Sequence, residues 1–501
     1  LYSDLADSAF KTKPLLRVSK TDSRGHFTIK GVAPGSYHVY ALQDTDGNYM
    51  YNQKAEKLAF STDVIVPSFV PDTRQDTLWT DSLHIKSIDR VGYTHFLPDN
   101  IVMRAFTTQL TDRHFLKSER NEPDHFALFF SYGDDRLPEI KGLNFNENNA
   151  FIIESNSRND SITYWLRDTM LVNQDSLSAV VQYRITDDST GVLRNQTDTL
   201  LFLSKQPYAK RLKERAKARE EWQKKQDKAK KQGDKFETVM PADELKPKIQ
   251  LSGTLDPDRN IAFDFPTPLA KADTSKIHLY AKHDTLWYIS RCRLMQRRDT
   301  LNKPLVAHTA AENLRQYQLL GEWRPGIEYS LEIDSAAFTD IYGRVSRKIK
   351  QGFKVKPLSE YLSILVNIAD MQGKNIVVQL LDEQDKPVKE VRTNSGTAEF
   401  YYLNPKTYYM RLFVDANNNG RWDTGDYDKG LQPEETYYYP EAIETRANWD
   451  ITLSWTPASL PLNRQKPQKI TKQKPDKEKT IKSRNMQRAK QLGIKYMPQV
   501  M

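Results

Sequence analysis

The sequence is poor in cysteine, in glycine and in long apolar runs, and each shortage excludes a class of protein. Cys292 is the single cysteine among 501 residues. The chain therefore has no internal disulfide and no cysteine-ligated metal cluster, and we expect a free, buried thiol. Only 20 glycines are present, which argues against glycine-rich loops that cradle phosphates. No run of 18 apolar residues occurs, so the sequence predicts no transmembrane segment.

Catalytic motifs are also missing from the sequence. It contains no GxSxG, HExxH, CxxC or GxxxxGK[ST] pattern, and its nine histidines are scattered. These patterns bring a nucleophile, a metal or a phosphate to a defined place. We therefore predict a protein that is not an enzyme, with no catalytic residues and no organic cofactor.

Aromatic residues are plentiful, with 25 Tyr, 20 Phe and 8 Trp, and such residues are favoured in strands. Short apolar or alternating runs separated by polar turn residues recur through 90–204 and 248–357. Regular short strands of this kind are typical of β-sandwiches. The sequence therefore predicts an all-β chain of tandem sandwiches.

Two segments near the ends of the chain follow the same order of turns and strands. Residues 1–75 include KTDSRGHFTIKGVAPGSYHVYALQDTDGNYMY, with strands predicted at His26–Lys30 and Tyr37–Leu42, and residues 394–419 are NSGTAEFYYLNPKTYYMRLFVDANNN. Each has a Gly turn, a strand, a Pro turn, an aromatic strand and an Asp/Asn loop, which we interpret as an internal repeat. Both resemble the prealbumin-like, carboxypeptidase-regulatory-type β-sandwich. That resemblance implies an accessory or adhesive module without an active site.

A second resemblance lies in the third quarter of the chain. WRPGIEYSL at 323–331 is followed by FTDIYG at 338–343, and this order resembles bacterial Ig-like domains of the S-layer-associated type. The combination of the two kinds of module is similar to surface lipoproteins of Bacteroidota.

The predicted order is a prealbumin-like sandwich at 1–75 that is incomplete at its N-terminus, an Ig-like sandwich at 90–204, a charged helix and linker at 205–247, a bacterial Ig-like sandwich at 248–357, a prealbumin-like sandwich at 358–455 and a disordered basic tail at 456–501.

The positive charge is concentrated in two segments. Residues 206–236 have 12 Lys/Arg against 5 Asp/Glu and lack an interior Gly or Pro before Gly233, which predicts a helix with net charge +7. Residues 461–501 have 12 Lys/Arg against 2 Asp/Glu. Two interpretations remain open: a solvated spacer helix with a soluble tail, or attraction of 208–232 and 464–495 to an anionic surface. Nucleic acid is not predicted as a partner, because aromatics are not interleaved with the tail's lysines.

The sharpest chemical signal is the loop DANNNGRWDTGD at 415–426. Oxygen-bearing side chains recur at the first, third, fifth, ninth and twelfth places, with Gly420 at the sixth, which is the pattern of a hard-cation loop. The predicted Ca²⁺ ligands are Asp415, Asn417, Asn419, the carbonyl of Arg421, Asp423 and Asp426. A metal-free turn rich in Asp and Asn is the alternative. The acidic turn at Asp44 and Asp46 is followed by few further acids, so we do not predict a site there.

The resemblance to surface lipoproteins implies a non-catalytic cell-envelope lipoprotein at the outer membrane that scaffolds or binds a protein partner. We expect a lipid anchor upstream of Leu1, because LYSDLADSAF lacks the charged and apolar regions of a signal peptide. One alternative is a carbohydrate- or host-protein-binding surface adhesin, with the tyrosines at 408–409 and 437–439 as candidate contacts. Another is the accessory region of an enzyme whose catalytic domain lies upstream.

Overall fold

The fold is built almost entirely from short β-strands. The computed structural model describes residues 1–81, 83–296 and 310–471. Strands account for 41% of the residues and helices for 11%, which confirms the all-β fold class. The strands are grouped in four modules, with one long hairpin and one long helix as additional elements.

The first module is small. Its part of the chain contains α1 (Ala9–Thr12), β1 (Tyr40–Gln43), β2 (Lys57–Phe60), β3 (Ser68–Trp79), β4 (Ile85–Leu97) and β5 (Phe106–Thr107). Strands β1, β2 and β5 form one antiparallel sheet in that order. Phe10, Leu58 and Phe106 are buried at the centre of its core. The predicted strand at 26–30 is wrong, because that segment is irregular and packs Phe27 and Ile29 against a separate small cluster.

Strands β3 and β4 form a long hairpin, which we call the ribbon (68–97). Its strands pair with each other from Ser68↔Leu97 to Trp79↔Ile85. In the described part of the chain no third strand pairs with either edge. A strand of twelve residues extends about 40 Å. The ribbon crosses the boundary between the predicted 1–75 and 90–204 domains, because β5 follows it and returns to the first module.

The second module is a sandwich of two sheets. Its elements are β6 (Phe115–Glu119), β7 (His125–Phe130), β8 (Glu139–Gly142), β9 (Phe151–Ser155), β10 (Ser161–Leu166), α2 (Thr169–Asn173), β11 (Ser176–Thr186) and β12 (Leu193–Leu203). One sheet contains the order β9-β10-β7-β6 and the other has the order β12-β11-β8. Phe126 stacks on Tyr164 and on Phe202, which joins the two layers. Such offset aromatic pairs add to the free energy of burial.

Two buried arginines of this sandwich, Arg113 and Arg120, donate hydrogen bonds to backbone carbonyls. Arg113 donates to the carbonyl of Arg184 at 3.0 Å. Arg120 donates to the carbonyls of Gln174 and Pro123, both at 2.8 Å. Burial lowers the pKa of Arg120 to about 10. Both side chains therefore satisfy backbone carbonyls that would otherwise lose their water on folding.

The long helix α3 (Tyr208–Gln232) follows the second module and confirms the predicted helix. It ends at Gly233, which has a left-handed φ of 75° and the C-terminal cap geometry that favours glycine. None of its side chains is buried. No helix in the described residues is long and apolar enough to cross a membrane.

The third module is the largest sandwich. Its elements are β13 (Lys248–Gln250), β14 (Thr254–Leu255), β15 (Ile261–Asp264), β16 (Leu269–Ala272), the 3₁₀ turn Thr274–Lys276, β17 (Ile277–His283), β18 (Leu286–Ser290), β19 (Cys292–Gln296), β20 (Ala310–Ala311), β21 (Gln316–Gly321), β22 (Glu328–Ile333), β23 (Phe338–Asp340) and β24 (Ile349–Val355). The sheets have the orders β13-β15-β21-β19, β14-β24-β22-β17-β18 and β16-β23. Cys292 is half-buried rather than buried, and burial raises the pKa of its thiol.

The second and third modules are joined by a shared sheet and by polar contacts. Strand β20 pairs in parallel with β9 and extends the sheet of the second module. Tyr342 donates its hydroxyl hydrogen to the carbonyl of Leu166 at 2.8 Å, and Arg315 pairs with Glu154 at 2.9 Å.

The fourth module shows the period-two alternation most clearly. Its elements are the 3₁₀ turn Leu358–Glu360, β25 (Leu362–Ile368), β26 (Ile376–Leu381), β27 (Pro387–Thr393), β28 (Thr397–Leu403), β29 (Tyr409–Val414), β30 (Thr436–Tyr438) and β31 (Asp450–Trp455). Its two sheets have the orders β28-β25-β31 and β27-β26-β29-β30. In β25, Leu362, Ile364, Val366 and Ile368 are buried and alternate with less buried residues. Successive side chains of a strand point to opposite faces, so this pattern places one face on the core.

The first residues of the predicted disordered tail are ordered and packed. The 3₁₀ turns Pro457–Ser459 and Gln468–Ile470 and the helix α4 (Leu462–Gln465) follow β31. Ile470 is buried against Leu381 and Tyr409, and Lys466 pairs with Asp385 at 2.6 Å. The rest of the predicted tail, 472–501, lies outside the described residues.

Candidate functional site

The predicted calcium loop follows β29 and connects it to β30, its antiparallel neighbour. Asp415 is the first residue of the loop and is 2% exposed. One of its carboxylate oxygens accepts the N–H of Asn419 at 3.0 Å, and the other accepts the N–H of Gly420 at 2.7 Å. Gly420 has a left-handed φ of 75°, and a Cβ there would collide with the guanidinium of Arg392. Asp415 therefore closes the first bend of the loop.

Four further predicted residues, Asn417, Asn419, Arg421 and Asp423, join the same network. The amide groups of Asn417 and Asn419 donate to one oxygen of Asp423 at 2.6 and 2.7 Å. The backbone N–H of Arg421 donates to the side-chain oxygen of Asn419 at 2.7 Å. The amide NH₂ groups, rather than the amide oxygens, thus point toward the Asp423 carboxylate.

Asp426 lies in a separate turn. Its carboxylate accepts the N–H of Asp428 at 3.0 Å and pairs with the ammonium of Lys429 at 3.0 Å. Burial opposes ionisation, but the contacts with Lys429 outweigh it and lower the pKa of Asp426 below its usual value. The structure therefore brings together the following predicted residues without Asp426: Asp415, Asn417, Asn419, Arg421 and Asp423. Calcium binding by this loop stays a prediction.

The sequence analysis missed one carboxylate of this loop, Glu434. One of its oxygens accepts the N–H of Ala416 at 2.9 Å and the other accepts the N–H of Asp423 at 3.0 Å. The pairing of Phe413 with Thr436 places Glu434 opposite Asp415 across the mouth of the loop. A glutamate two residues before a strand is the only sequence signal, and its meaning depends on the strand register.

The second half of the loop contacts the first module through Tyr427. The Tyr427 ring makes edge-on contacts with four aromatic rings of that module at centroid distances between 5.3 and 6.1 Å. Those rings belong to Phe10, Tyr40, Tyr51 and Phe60. The Tyr427 hydroxyl also donates to the carbonyl of Asp7 at 2.7 Å.

Polar contacts flank this aromatic cluster on both sides. The hydroxyl of Thr424 donates to the carbonyl of Thr107 at 2.7 Å. Further along the loop, Glu435 pairs with Arg104 at 2.9 Å. The loop thus fastens the last module to the first.

An acidic cluster that could bind a metal lies in the loop between β1 and β2. Carboxylate oxygens of Asp44, Asp46 and Glu56 all lie within 4.8 Å of one another. In the described residues this is the only such group of three or more His, Cys, Asp or Glu side chains. The sequence analysis had set this turn aside because it did not connect Glu56, twelve residues further on, with Asp44.

The tyrosines proposed as glycan contacts do not form an exposed platform. Tyr408 and Tyr409 are buried, and the tyrosines at 437–439 are half-buried. Tyr437 and Tyr439 pack against the core of the fourth module.

The exposed apolar side chains of the ribbon form a more prominent surface. Phe69 and Phe96 lie opposite each other and are 71% and 72% exposed. Near the tip, Trp79, Ile85 and Ile88 are also exposed. Contiguous exposed apolar groups on a soluble protein often mark interaction sites.

The basic surface predicted to contact anions is only partly described. The part of it in α3 is mostly exposed, and the helix has no fully buried residue. Its N-terminal end is fastened to the second module by Arg211, which donates to the carbonyl of Val172 at 2.9 Å. Most of the second predicted segment, 464–495, lies outside the described residues.

No protein-family model and no curated protein matches the chain. Among solved structures, the TIE protein of Bacillus anthracis is 12% identical over 70% of this chain and 58% of its own, with a TM-score of 0.14. The major pilin subunit of Bacillus cereus is 11% identical over 60% of this chain and 88% of its own, with a TM-score of 0.15. Zebrafish RET cadherin-like domains 1 to 4 are 10% identical over 56% of this chain and 63% of their own, with a TM-score of 0.14. The TM-scores are too low to carry a functional argument.

Proposed function

We propose that this chain is a non-catalytic binding subunit of a cell-envelope assembly, a lipoprotein of the outer membrane whose ribbon docks a protein partner. The observation that supports this proposal is the ribbon itself, a two-stranded sheet with exposed apolar side chains and with two edges that no other strand of the described residues pairs with. An isolated two-stranded hairpin is marginally stable in water. Free, apolar strand edges are also templates for pairing with another chain.

The two edges of the ribbon are not equivalent. The N–H of Thr80 donates to the carbonyl of His84 at 2.8 Å. The backbone groups of Thr80, and of every second residue before it in β3, therefore point toward β4. Alternate residues of a strand direct their backbone groups to opposite edges. On β3 the outward set includes Pro71, which has no N–H and interrupts that edge.

The outer edge of β4 has no such interruption. The outward set there is Ile88, Arg90, Gly92, Thr94 and Phe96, because these residues pair with the outward set of β3. All five are exposed. This edge offers peptide donors and acceptors at each of its outward positions, so we propose that it receives one extended strand of the partner.

Structural calcium in the loop 415–426 belongs to this proposal. The buried carboxylate of Asp415 and its network with Asp423 support it. Binding would require Asn417 and Asn419 to turn their amide oxygens toward the ion. The ion would stiffen the connection between the last module and the first.

Photo-crosslinking tests the docking proposal. A photoreactive amino acid is placed at Ile88 or Thr94 on the ribbon and, as a control, at exposed Leu116 on β6. In envelopes of the producing cells we expect one crosslinked envelope protein from the ribbon positions and not from Leu116. Crosslinks only to a second copy of this chain, or equal crosslinking at Leu116, would contradict the proposal.

A proline pair then tests the strand-addition geometry with the purified partner. Thr94→Pro removes one outward N–H from the β4 edge without removing a bond inside the ribbon. Thr73→Pro makes the same change on the β3 edge, which Pro71 already interrupts. We expect the Thr94 variant to bind the partner at least about tenfold more weakly and the Thr73 variant to bind normally. Equal affinities would show that the β4 edge is not the docking site.

A further inference from the structure

We infer that Asp44, Asp46 and Glu56 form a Ca²⁺ site in the first module, separate from the predicted loop at 415–426. The strand register creates this site. Asp44 directly follows β1, Glu56 directly precedes β2, and Gln43 pairs with Lys57. The two carboxylates therefore face each other at the mouth of the loop, and Asp46 completes the group within 4.8 Å.

The side chain of Glu56 is an independent indication that this cluster binds a cation. Its side chain is 1% exposed. One carboxylate oxygen accepts the N–H of Thr45 at 3.0 Å and its hydroxyl hydrogen at 3.2 Å. The other oxygen is buried and has no hydrogen-bond partner in the described structure. An unpartnered buried carboxylate oxygen is strongly unfavourable unless a cation neutralises it.

No protein cation supplies that charge. In the described residues, none of the three carboxylates forms an ion pair within 4.0 Å. Their hydrogen-bond donors are neutral: for example, Gly47 and Tyr49 donate backbone N–H groups to Asp44 at 2.7 and 3.0 Å. Three negative carboxylates thus lie close together and receive hydrogen bonds only from neutral groups. A divalent cation would neutralise most of their charge.

Comparison with the loop of the fourth module isolates the difference. By strand register Glu434 faces Asp415 as Glu56 faces Asp44, and it also accepts the N–H of the residue after the first aspartate. The second oxygen of Glu434 is satisfied by the N–H of Asp423. The corresponding oxygen of Glu56 has no donor. Of the two glutamates, only Glu56 therefore has a carboxylate oxygen without a hydrogen-bond donor in the described residues.

The donor set favours calcium among common cations. All three side chains offer oxygen, whereas zinc sites typically use His and Cys. Ca²⁺ accepts six to eight oxygens in irregular geometry, with water and carbonyls completing the shell, whereas Mg²⁺ demands a near-ideal octahedron. The irregular backbone of residues 44–56 suits the larger ion. Three carboxylates predict a Kd of about 10⁻⁴ to 10⁻³ M, the range of extracellular modules.

Calorimetric titration of the chelator-treated full chain with CaCl₂ tests this site. The variants are Glu56→Gln and Asp46→Asn, with Asp63→Asn as a control for an exposed aspartate in the same module. We expect each site variant to weaken Ca²⁺ binding by about tenfold or more and the control to bind normally, because ligand charge count sets affinity. Asp46 is exposed, so its variant keeps the test valid if Glu56→Gln fails to fold.

Asp415→Asn distinguishes the two loops. This variant removes a ligand of the proposed site at 415–426 and leaves the first module unchanged. One Ca²⁺ still bound by the Asp415 variant and lost in the Asp46 variant supports the site in the first module. Binding that is lost in the Asp415 variant and retained in both first-module variants would overturn the inference, as would a wild-type chain that binds no Ca²⁺ at 10 mM, about ten times the weakest affinity expected.

Discussion

Replacing Tyr427 with alanine should release the first module from the last. Tyr427 belongs to the fourth module but lies within the aromatic core of the first, against Phe10, Tyr40, Tyr51 and Phe60. The three-stranded sheet of the first module has strands of only two to four residues. A sheet of this size buries little surface on its own, so a ring supplied from elsewhere matters more than it would in a large sandwich.

The magnitude follows from the contacts. Truncating a large, well-packed aromatic side chain to alanine costs about 3–5 kcal/mol. Because Tyr427 is half-buried, we expect about 2–4 kcal/mol of local stability to be lost. Tyr427→Phe keeps the ring and removes only the hydrogen bond to Asp7, so it should cost about 0.5–1.5 kcal/mol.

Hydrogen exchange measured by mass spectrometry locates the loss. We expect Tyr427→Ala to accelerate exchange in β1 and β2 and in the loop 415–435, and to leave the second and third modules unchanged. Tyr401→Ala is the matched control, because this tyrosine is 53% exposed on β28 of the same module. Equal exchange of β1 and β2 in the wild type and in the Tyr427→Ala variant would refute the role of this ring as an anchor.

Three further outcomes are expected. Gly425→Ala should lower the melting temperature, since a Cβ there would lie 2.7 Å from the carbonyl oxygen of Leu431; an unchanged melting temperature would show that the loop readjusts freely. Deleting 208–232 should leave the sandwiches folded and lower their melting temperature only slightly, because α3 has no fully buried side chain and the contact of Arg211 with Val172 is a single hydrogen bond to a backbone carbonyl. Burial alone would raise the pKa of Asp256, but the hydrogen bond from Tyr361 and the other contacts outweigh it and lower this pKa. The extra stability of wild type over Asp256→Asn should therefore be present above about pH 4 and disappear as the pH falls below that value; a difference independent of pH would contradict this assignment.

Features encoded by neighbouring residues could be predicted from the sequence. The helix follows from a run of strong helix formers that ends at Gly233, and the structure ends it at that residue. The sandwich strands follow from period-two alternation, as in β25. The strand expected at 26–30 failed because alternation of Phe27 and Ile29 with polar residues also fits an irregular segment that buries two side chains.

Features that depend on contacts between distant segments could not be predicted in the same way. The sequence of the ribbon has the alternation of ordinary strands. Nothing in that sequence predicts that its two edges pair with no other strand of the described residues. The anchoring role of Tyr427 requires contact with Phe10, which is more than 400 residues away in the chain. The ordered segment at 456–471 likewise depends on burial of Ile470 against Tyr409. In each case the deciding contact joins residues that are distant in the sequence, so no pattern of neighbouring residues predicts it.

The two Asp/Asn loops show that ligand spacing and strand register draw attention to different residues. Spacing along the chain favours the loop that begins at Asp415, because it has more oxygen-bearing residues at two-residue intervals. A loop between paired strands also brings together its two ends, so the residue that faces the first aspartate in the strand register lies close to it whatever the loop length. Glu56 and Glu434 are those residues. The loop rich in Asn satisfies its glutamate with its own backbone, whereas the shorter loop leaves one oxygen of Glu56 without a partner. Strand register and hydrogen-bond satisfaction, rather than the number of acidic residues, therefore decide where a cation would stabilise this fold most.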